Sequence, residues 1–473
     1  MRAGILRVMP VLFMLLLPVC GCVPASAPDG GVARPGDGGL LSLFLNLRQG
    51  RVPDLEMRVR AIEIRSDSGA WLPLARREII LRAGGIGDSR IFVARAALGQ
   101  GHYSRLRLTL SAAALHEGKS SRPLTLQTRV SELAIQDPVF IGRGDSRSLF
   151  LSWDVQASLA DNGTMRPVLA LAPRLKNLIA DVAYVACPDI DTVYMIRTDR
   201  NWVYDSLGVA GGPAYLFRSP LAAAESLYAL TPGDMGVKRI AAAANRVVET
   251  YRLSMAGRVT HMALGARGRH AYIVDRRRGN ILRLDLRSGI VDRRARLGYG
   301  PVYVLYLEKM NLLAVSLSLS QSVVLVDPET LATIRTISTA DRPEGLAVWR
   351  DSLLYIAEAG SSTVLQYDLE RGRAGRRIPV GFSPRRILAL DEAIYVADYG
   401  SASLSVLRPG QLGIARKITL AGRPLELADV EGRKLIYVGS EEEQAIAIVD
   451  PVTMKAVGRI PLGTRPAGIT VMQ

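Results

Sequence analysis

Four histidines (His102, His116, His261 and His270) are the first candidates for chemistry in this 473-residue chain. No two of them stand at the spacing of a metal-ligand pair, and no His-Glu-x-x-His occurs. There is no Gly-x-Ser-x-Gly elbow and no phosphate-binding Gly-rich loop. Cys187 stands beside an apolar run with no histidine near it in sequence, which reads as a small core residue rather than a nucleophile. Acidic side chains recur in turn-forming stretches at Asp189, Asp191, Asp234, Glu358 and Asp398, and His261 and Asp275 could meet in the fold. Together such acids could ring a metal ion, and each is also a good turn former. A sharper signal is arginine. Arg258, Arg342, Arg423 and Arg465 each precede a proline or, at Val259, its stand-in, and Arg385 follows Pro384. Arg276, Arg277 and Arg278 form a run of their own. Guanidinium forks gathered on one face would bind carboxylates or other anions.

The elements that must position these arginines repeat every 40 to 44 residues. An apolar tetrad recurs as Ala183–Ala186, Leu227–Leu230, Ala271–Val274, Leu312–Val315, Leu354–Ala357, Ile394–Ala397 and Ile436–Gly439, with tyrosine second in all but the fourth, where Leu313 stands. Pro213, Pro301, Pro343, Pro384, Pro424 and Pro466 keep the same beat. Short β-branched runs split by Gly, Asp and Pro at this period predict propeller blades of four strands each. In the fifth repeat the strands are expected at Leu354–Ala357, Thr363–Tyr367, Arg377–Val380 and Arg386–Leu390. Asp285, Asp327, Asp368 and Asp450 end strands and should accept backbone N–H bonds two residues on. Met235–Thr250, containing Ala241–Ala244, reads more like a helix or decorated loop. The last run, Ile469–Met472, should close the ring on the first tetrad and so remove two open edges. The loops into each inner strand and the turns after each tetrad then share one face, which places the arginines around the channel mouth.

The tyrosine tetrad, the strand ending in Val-Asp, and the Ile-Pro-Val-Gly and Pro-x-Gly elements resemble the YVTN family of bacterial seven-bladed propellers, best at Tyr355–Val380, Tyr395–Pro424 and Tyr437–Ile469. The resemblance covers residues 181–473. It implies an all-β, seven-bladed β-propeller that serves as a binding or scaffold surface, with no cofactor and no catalytic residue. Propeller lactonases and lyases supply the alternative, a metal-dependent hydrolase or lyase at the channel mouth.

At the other end, Arg2 and Arg7 precede an apolar run from Val8 to Val19, followed by Cys20-Gly21-Cys22. Twelve largely apolar residues suit a secretory segment and are too few to span a bilayer. Val19, Gly21 and Cys22 resemble the bacterial lipobox, which implies a signal peptide over residues 1–21, lipidation of Cys22 and a membrane anchor, with the outer membrane favoured because Val23, not aspartate, follows. Three prolines and five glycines between Val23 and Gly39 make residues 22–39 a flexible tether. Residues 40–176 lack the repeat and show about eight short runs, among them Leu43-Leu45-Leu47, Met57-Val59-Ala61, Ile62-Ile64, Leu106-Leu108-Leu110 and Leu149–Trp153. Gly101–Leu108, Phe150–Asp154 and Leu169–Pro173 resemble an uncharacterised domain of bacterial lipoproteins, an immunoglobulin- or transthyretin-like β-sandwich.

The formal net charge is +16, with arginine dominating the basic residues. Residues 22–180 hold 21 basic and 14 acidic side chains and residues 181–473 hold 37 and 30, so neither domain concentrates the excess. An arginine bias of this kind follows from a GC-rich genome more simply than from phosphate recognition, so no nucleic-acid partner is expected. The expected partners are the membrane, through the lipid, and an envelope protein or anionic polymer, bound by a monomer.

Overall fold

The computed structural model describes residues 37–48, 52–160, 163–172, 181–221, 226–411 and 413–472. Cys22, the apolar run before it and most of the expected tether lie outside the described residues. Among those described, no helix is long and apolar enough to cross a membrane.

The chain is all-β and propeller-like. From Val182 onward, the described residues form seven four-stranded antiparallel sheets that follow one another. The third is representative: Val259–Leu264, His270–Asp275, Asn280–Asp285 and Ile290–Arg296 pair in chain order. The first strands of successive sheets touch one another in a closed circuit, and the last of them, Ile469–Met472, touches the first strand of the second sheet, Tyr215–Arg218. Ile469–Met472 also pairs antiparallel with Val182–Cys187, from Val185↔Ile469 to Val182↔Met472, as the repeat required.

Each tetrad is the buried second strand of its sheet. Tyr355, Tyr395 and Tyr437 are 0–2% exposed, and Leu313 fills the same place without a hydroxyl. The fifth-repeat strands run Leu353–Glu358, Thr363–Asp368, Arg373–Pro379 and Pro384–Ala389, close to expectation. The strand-ending aspartates work as turn acceptors: Asp285 takes the N–H groups of Arg287 and Ser288, Asp327 those of Glu329 and Thr330, and Asp450 those of Val452 and Thr453. Accepting those bonds favours the charged form, so backbone N–H groups hold the Asp285 carboxyl down at about 2.

The second repeat corrects the sequence reading. Met235–Thr250 is not helical; Gly236–Ala241 and Arg246–Arg252 are paired strands, and Ala242–Asn245 forms their turn. Asn245 adopts a left-handed φ of 45°, which asparagine tolerates. The alanine run has helical propensity, but pairing on both sides overrides it.

Before the ring, eleven strands among the described residues form two sheets, rather than the expected eight or so. The four-stranded sheet runs Leu169–Leu171, Ser146–Trp153, Gly39–Leu47, Arg90–Leu98, and a seven-stranded sheet faces it over a shared core of Leu41, Leu43, Leu45, Met57, Ile62, Leu106 and Leu108. Met57-Val59-Ala61 and Ile62-Ile64 belong to one strand, Asp54–Ser66. Register shifts at Arg58/Val59 and Val59/Ala61 move the inward positions from odd to even numbers, which made one strand read as two. Val130–Ile141 escaped notice because most of it is exposed and it carries Asp137 and Pro138.

All nine residues of Gly39–Leu47 are buried. Its alternate face, Leu40 and Phe44, joins Phe150 in a second core with Val185, Tyr194, Val203, Ile446 and Ile460 of the ring. The Phe44 ring lies 5.7–5.9 Å from Phe92, Phe150 and Tyr194. Two cations cross the junction. Arg90 donates to the Val203 carbonyl at 2.8 Å between the faces of Phe150 and Trp202, and Arg95 reaches the Tyr194 hydroxyl and the Leu462 carbonyl.

Candidate functional site

In every ring sheet, the turn between strands two and three and the loop entering strand one lie at the same end, so these segments share a face. The residue after each tetrad sits beneath it: Cys187, Thr231, Asp275, Ser316, Glu358, Asp398 and Ser440 are all 0–1% exposed. Several of them tie turn to loop. Asp275 accepts the N–H groups of Gly257, Arg258, Arg277 and Arg278. Glu358 accepts from the Ala340 N–H, the Thr363 hydroxyl and Arg377. The Asp398 Oδ2 accepts from the Ser403 and Ser405 hydroxyls, while its Oδ1 has no partner among the described residues. Burial raises the Asp398 carboxyl to about 6. Burial also pushes the Cys187 thiol up to about 12, which leaves it protonated and unreactive.

The structure does not gather the turn acids into a metal ring. Asp189 pairs with Arg465 at 2.9 Å, Asp234 with Lys238, and Asp191 accepts the Gly212 N–H. Asp275 is engaged as above and does not meet His261. One group that sequence spacing concealed, His270 with Asp285 and Asp292, brings potential ligand atoms within 4.8 Å. Both of its carboxylates already have partners, Asp285 in its turn and Asp292 on Arg283 at 2.9 Å.

The eight arginines divide into two sets. Arg465 is paired with Asp189, and Arg423 with Glu442. Arg342 lies 3.7 Å from Asp341, and Arg385 is 3.5 Å from the centre of the Tyr399 ring. Each of these four therefore has a carboxylate or a ring beside it. Arg258, Arg276, Arg277 and Arg278 are exposed, and among the described residues no carboxylate lies in ion-pair range of their guanidinium groups.

Those four lie on or beside the third ring sheet. Val259–Arg296 contains ten arginines against three aspartates, a net +7, which equals the entire excess of residues 181–473 (37 basic, 30 acidic). The excess is therefore concentrated after all, at a scale that domain totals average away.

The channel holds a second feature that sequence reasoning missed. Arg386, the neighbour of Arg385, turns inward and meets Glu426 at 3.2 Å; the two side chains are 12% and 15% exposed. Its guanidinium also donates to the Tyr215 hydroxyl at 2.5 Å and the Arg385 carbonyl at 2.9 Å, and lies 5.2 Å from the Tyr303 ring centre. His261 stacks on Tyr303 at 3.9 Å and packs edge-on to Tyr215 and Phe217. Burial, with Arg386 close by, lowers the His261 pKa well below its ordinary value, so the ring is neutral; its Nδ1 accepts the Val304 N–H, which puts the proton on Nε2. Tyr215, Phe217, His261, Tyr303 and Glu426 of this layer wall a cavity of about 400 Å³, which the exposed Arg218 and Glu308 also line.

No protein-family model matches the chain, and no curated protein does. Solved structures do. A functionally unknown protein from Desulfotomaculum acetoxidans superposes with a TM-score of 0.54 at 11% identity, over 62% of this chain and 99% of that one. The likeness is one of fold. The β-propeller domain of Cps50 (Swd1) from Myceliophteria thermophila gives a TM-score of 0.47 at 12% identity over 55% of this chain and 88% of that one. The dihydro-heme d1 dehydrogenase NirN gives 0.48 at 15% identity over 61% and 66%.

Arg386 and Glu426 each stand two residues after the proline that opens a first strand, where a register shift breaks the pleat, so alternation from the neighbouring residue could place neither of them.

Proposed function

We propose that the chain is an exported, lipid-anchored envelope protein of the YVTN type, held by Cys22 in the outer membrane. In this reading residues 181–473 are one seven-bladed propeller, residues 40–176 are a sandwich docked on its first and seventh blades, and the propeller is a binding scaffold. One observation carries the reading. Of the arginines on the loop-and-turn face, Arg342, Arg423 and Arg465 each have a carboxylate within ion-pair range, whereas Arg258 and Arg276–Arg278 stand exposed with no carboxylate partner among the described residues, on or beside the sheet whose net charge equals the whole excess of residues 181–473. A surface charge that does nothing for the fold is available to a partner.

Cross-linking in intact cells tests it, comparing wild type with R276E/R277E/R278E and with R342E/R423E/R465E. The first variant should lose a partner that the second retains, at unchanged melting temperature. Identical capture by all three forms, or no capture by any, overturns the reading. For the anchor, Cys22→Ser should abolish incorporation of labelled palmitate and release the protein from the membrane fraction; retention of both would exclude lipidation at this residue.

A further inference from the structure

We infer that the rim of the third and fourth ring sheets is a docking surface for an acidic protein segment that also carries apolar side chains. The inference rests on the binding reading above and specifies its partner.

The surface is contiguous. Gly257 lies beneath the side-chain stems of Arg277 and Arg278, close enough that a Cβ at this position would stand 3.2 Å from each, which places the loop Met255–Arg258 against the arginine turn. The Gly279 carbonyl accepts the Leu297 N–H at 2.8 Å, and a side chain at Gly279 would strike the Gly298 carbonyl, so the loop carrying Tyr299 abuts the same turn. Ser320 accepts the Tyr299 N–H at 3.0 Å, which adds the turn holding Leu319. Across this strip Met255, Tyr299 and Leu319 are 66%, 67% and 65% exposed. Large apolar side chains at such exposure, clustered among arginines, have the composition of interface hot spots. Arg296 lies over the Tyr299 ring at 5.7 Å, and Arg294 donates to the Ser254 carbonyl.

The chemistry selects the partner. Guanidiniums without carboxylates ask for carboxylates, held as forks. A polyanion would use the charge and ignore Met255, Tyr299 and Leu319. An anionic membrane would use both but needs no fixed spacing, and here the spacing is fixed. The buried Asp275 accepts four N–H groups from the loop and the turn, which sets the backbone of both before any partner arrives. Preorganisation of that kind favours a partner with a defined sequence.

The test is selection of random peptides displayed on phage against the purified protein, followed by fluorescence anisotropy with the best labelled peptide. Enriched peptides should combine Asp or Glu with aromatic or aliphatic residues. Their affinity should fall on the order of tenfold or more in R276E/R277E/R278E and, independently, in M255S/Y299S/L319S, with melting temperatures unchanged. Two further probes run alongside, heparin as a plain polyanion and phosphatidylglycerol vesicles. Equal peptide binding by the serine variant, tighter binding of heparin with the same mutational profile, vesicle binding that needs both residue sets, or no enrichment at all would each overturn the inference. If cells still show a partner dependent on Arg276–Arg278 while the peptide selection fails, the binding scaffold stands and only the partner class is wrong.

Discussion

Replacing Asp398 by asparagine should stabilise the protein at neutral pH. The carboxylate is fully buried, takes hydroxyl bonds from Ser403 and Ser405 on one oxygen, and leaves the other without a partner among the described residues. Its pKa is raised to about 6 by burial, against about 3.9 in an unfolded chain. Between those values the native state holds a proton that the unfolded state has lost, so stability is greatest below pH ~4, falls as pH rises to ~6, and stays low above it. Two units at about 1.4 kcal/mol each amount to about 3 kcal/mol. Asparagine removes the charge but sets an N–H₂ group where no acceptor stands, which costs about 1 kcal/mol. The net gain at pH 8 is therefore about 2 kcal/mol, shrinking to nothing or reversing near pH 4. Urea titrations followed by tryptophan fluorescence from pH 4 to 8 measure it. A difference between variant and wild type that does not change with pH, or an asparagine variant less stable at pH 8, refutes the argument.

Phe44→Ala should cost about 3–5 kcal/mol in the same urea titration, because the ring is fully buried between two cores and leaves a cavity against Phe92, Phe150 and Tyr194. Wild type should unfold in one transition, and the variant should be the first to show two. Arg386→Met and Glu426→Met should each destabilise by about 3–5 kcal/mol, since each strands a charge, while the double variant should recover much of that loss; additive losses in the double-mutant cycle would contradict a coupled pair. Lowering pH below ~6 should weaken the fold through His261, whose native pKa is depressed, so the unfolded state binds the extra proton; His261→Phe should flatten that part of the profile.

The ring was legible because each repeat states the same thing twice. Tyrosine tetrads mark buried second strands, and prolines mark the entry to first strands, where a missing N–H is tolerated. Asp327 and Asp450 could be read as turn acceptors from the residues after them alone. What stayed hidden depends on contacts distant in sequence. The register shifts between Asp54–Ser66 and Gly101–Glu117 skip a residue on each strand and show only in the pairing, so alternation within the strand misled. Gly39–Leu47 has an alternating core face at Leu41, Leu43 and Leu45, but nothing nearby announces that Leu40 and Phe44 bury against another sheet. At the candidate site, the sequence placed the arginines on one face without showing which of them a carboxylate would answer. Asp189 lies on the opposite side of the repeat array from Arg465, and only ring closure brings them to 2.9 Å.

That closure also constrains the order of assembly. Val182–Cys187 and Ile469–Met472 form the most sequence-distant pairing of the ring, so the latch is entropically late and the first sheet has an open edge until it forms. The sheet containing Gly39–Leu47 rests on both sides of that gap: on the first ring sheet through Tyr194 and Val203, and on the last through Arg95 and Leu462. A body made early in synthesis thus spans the two ends that must meet last. It works as a jig, holding the halves of the joint in line while the remaining strands are laid between them.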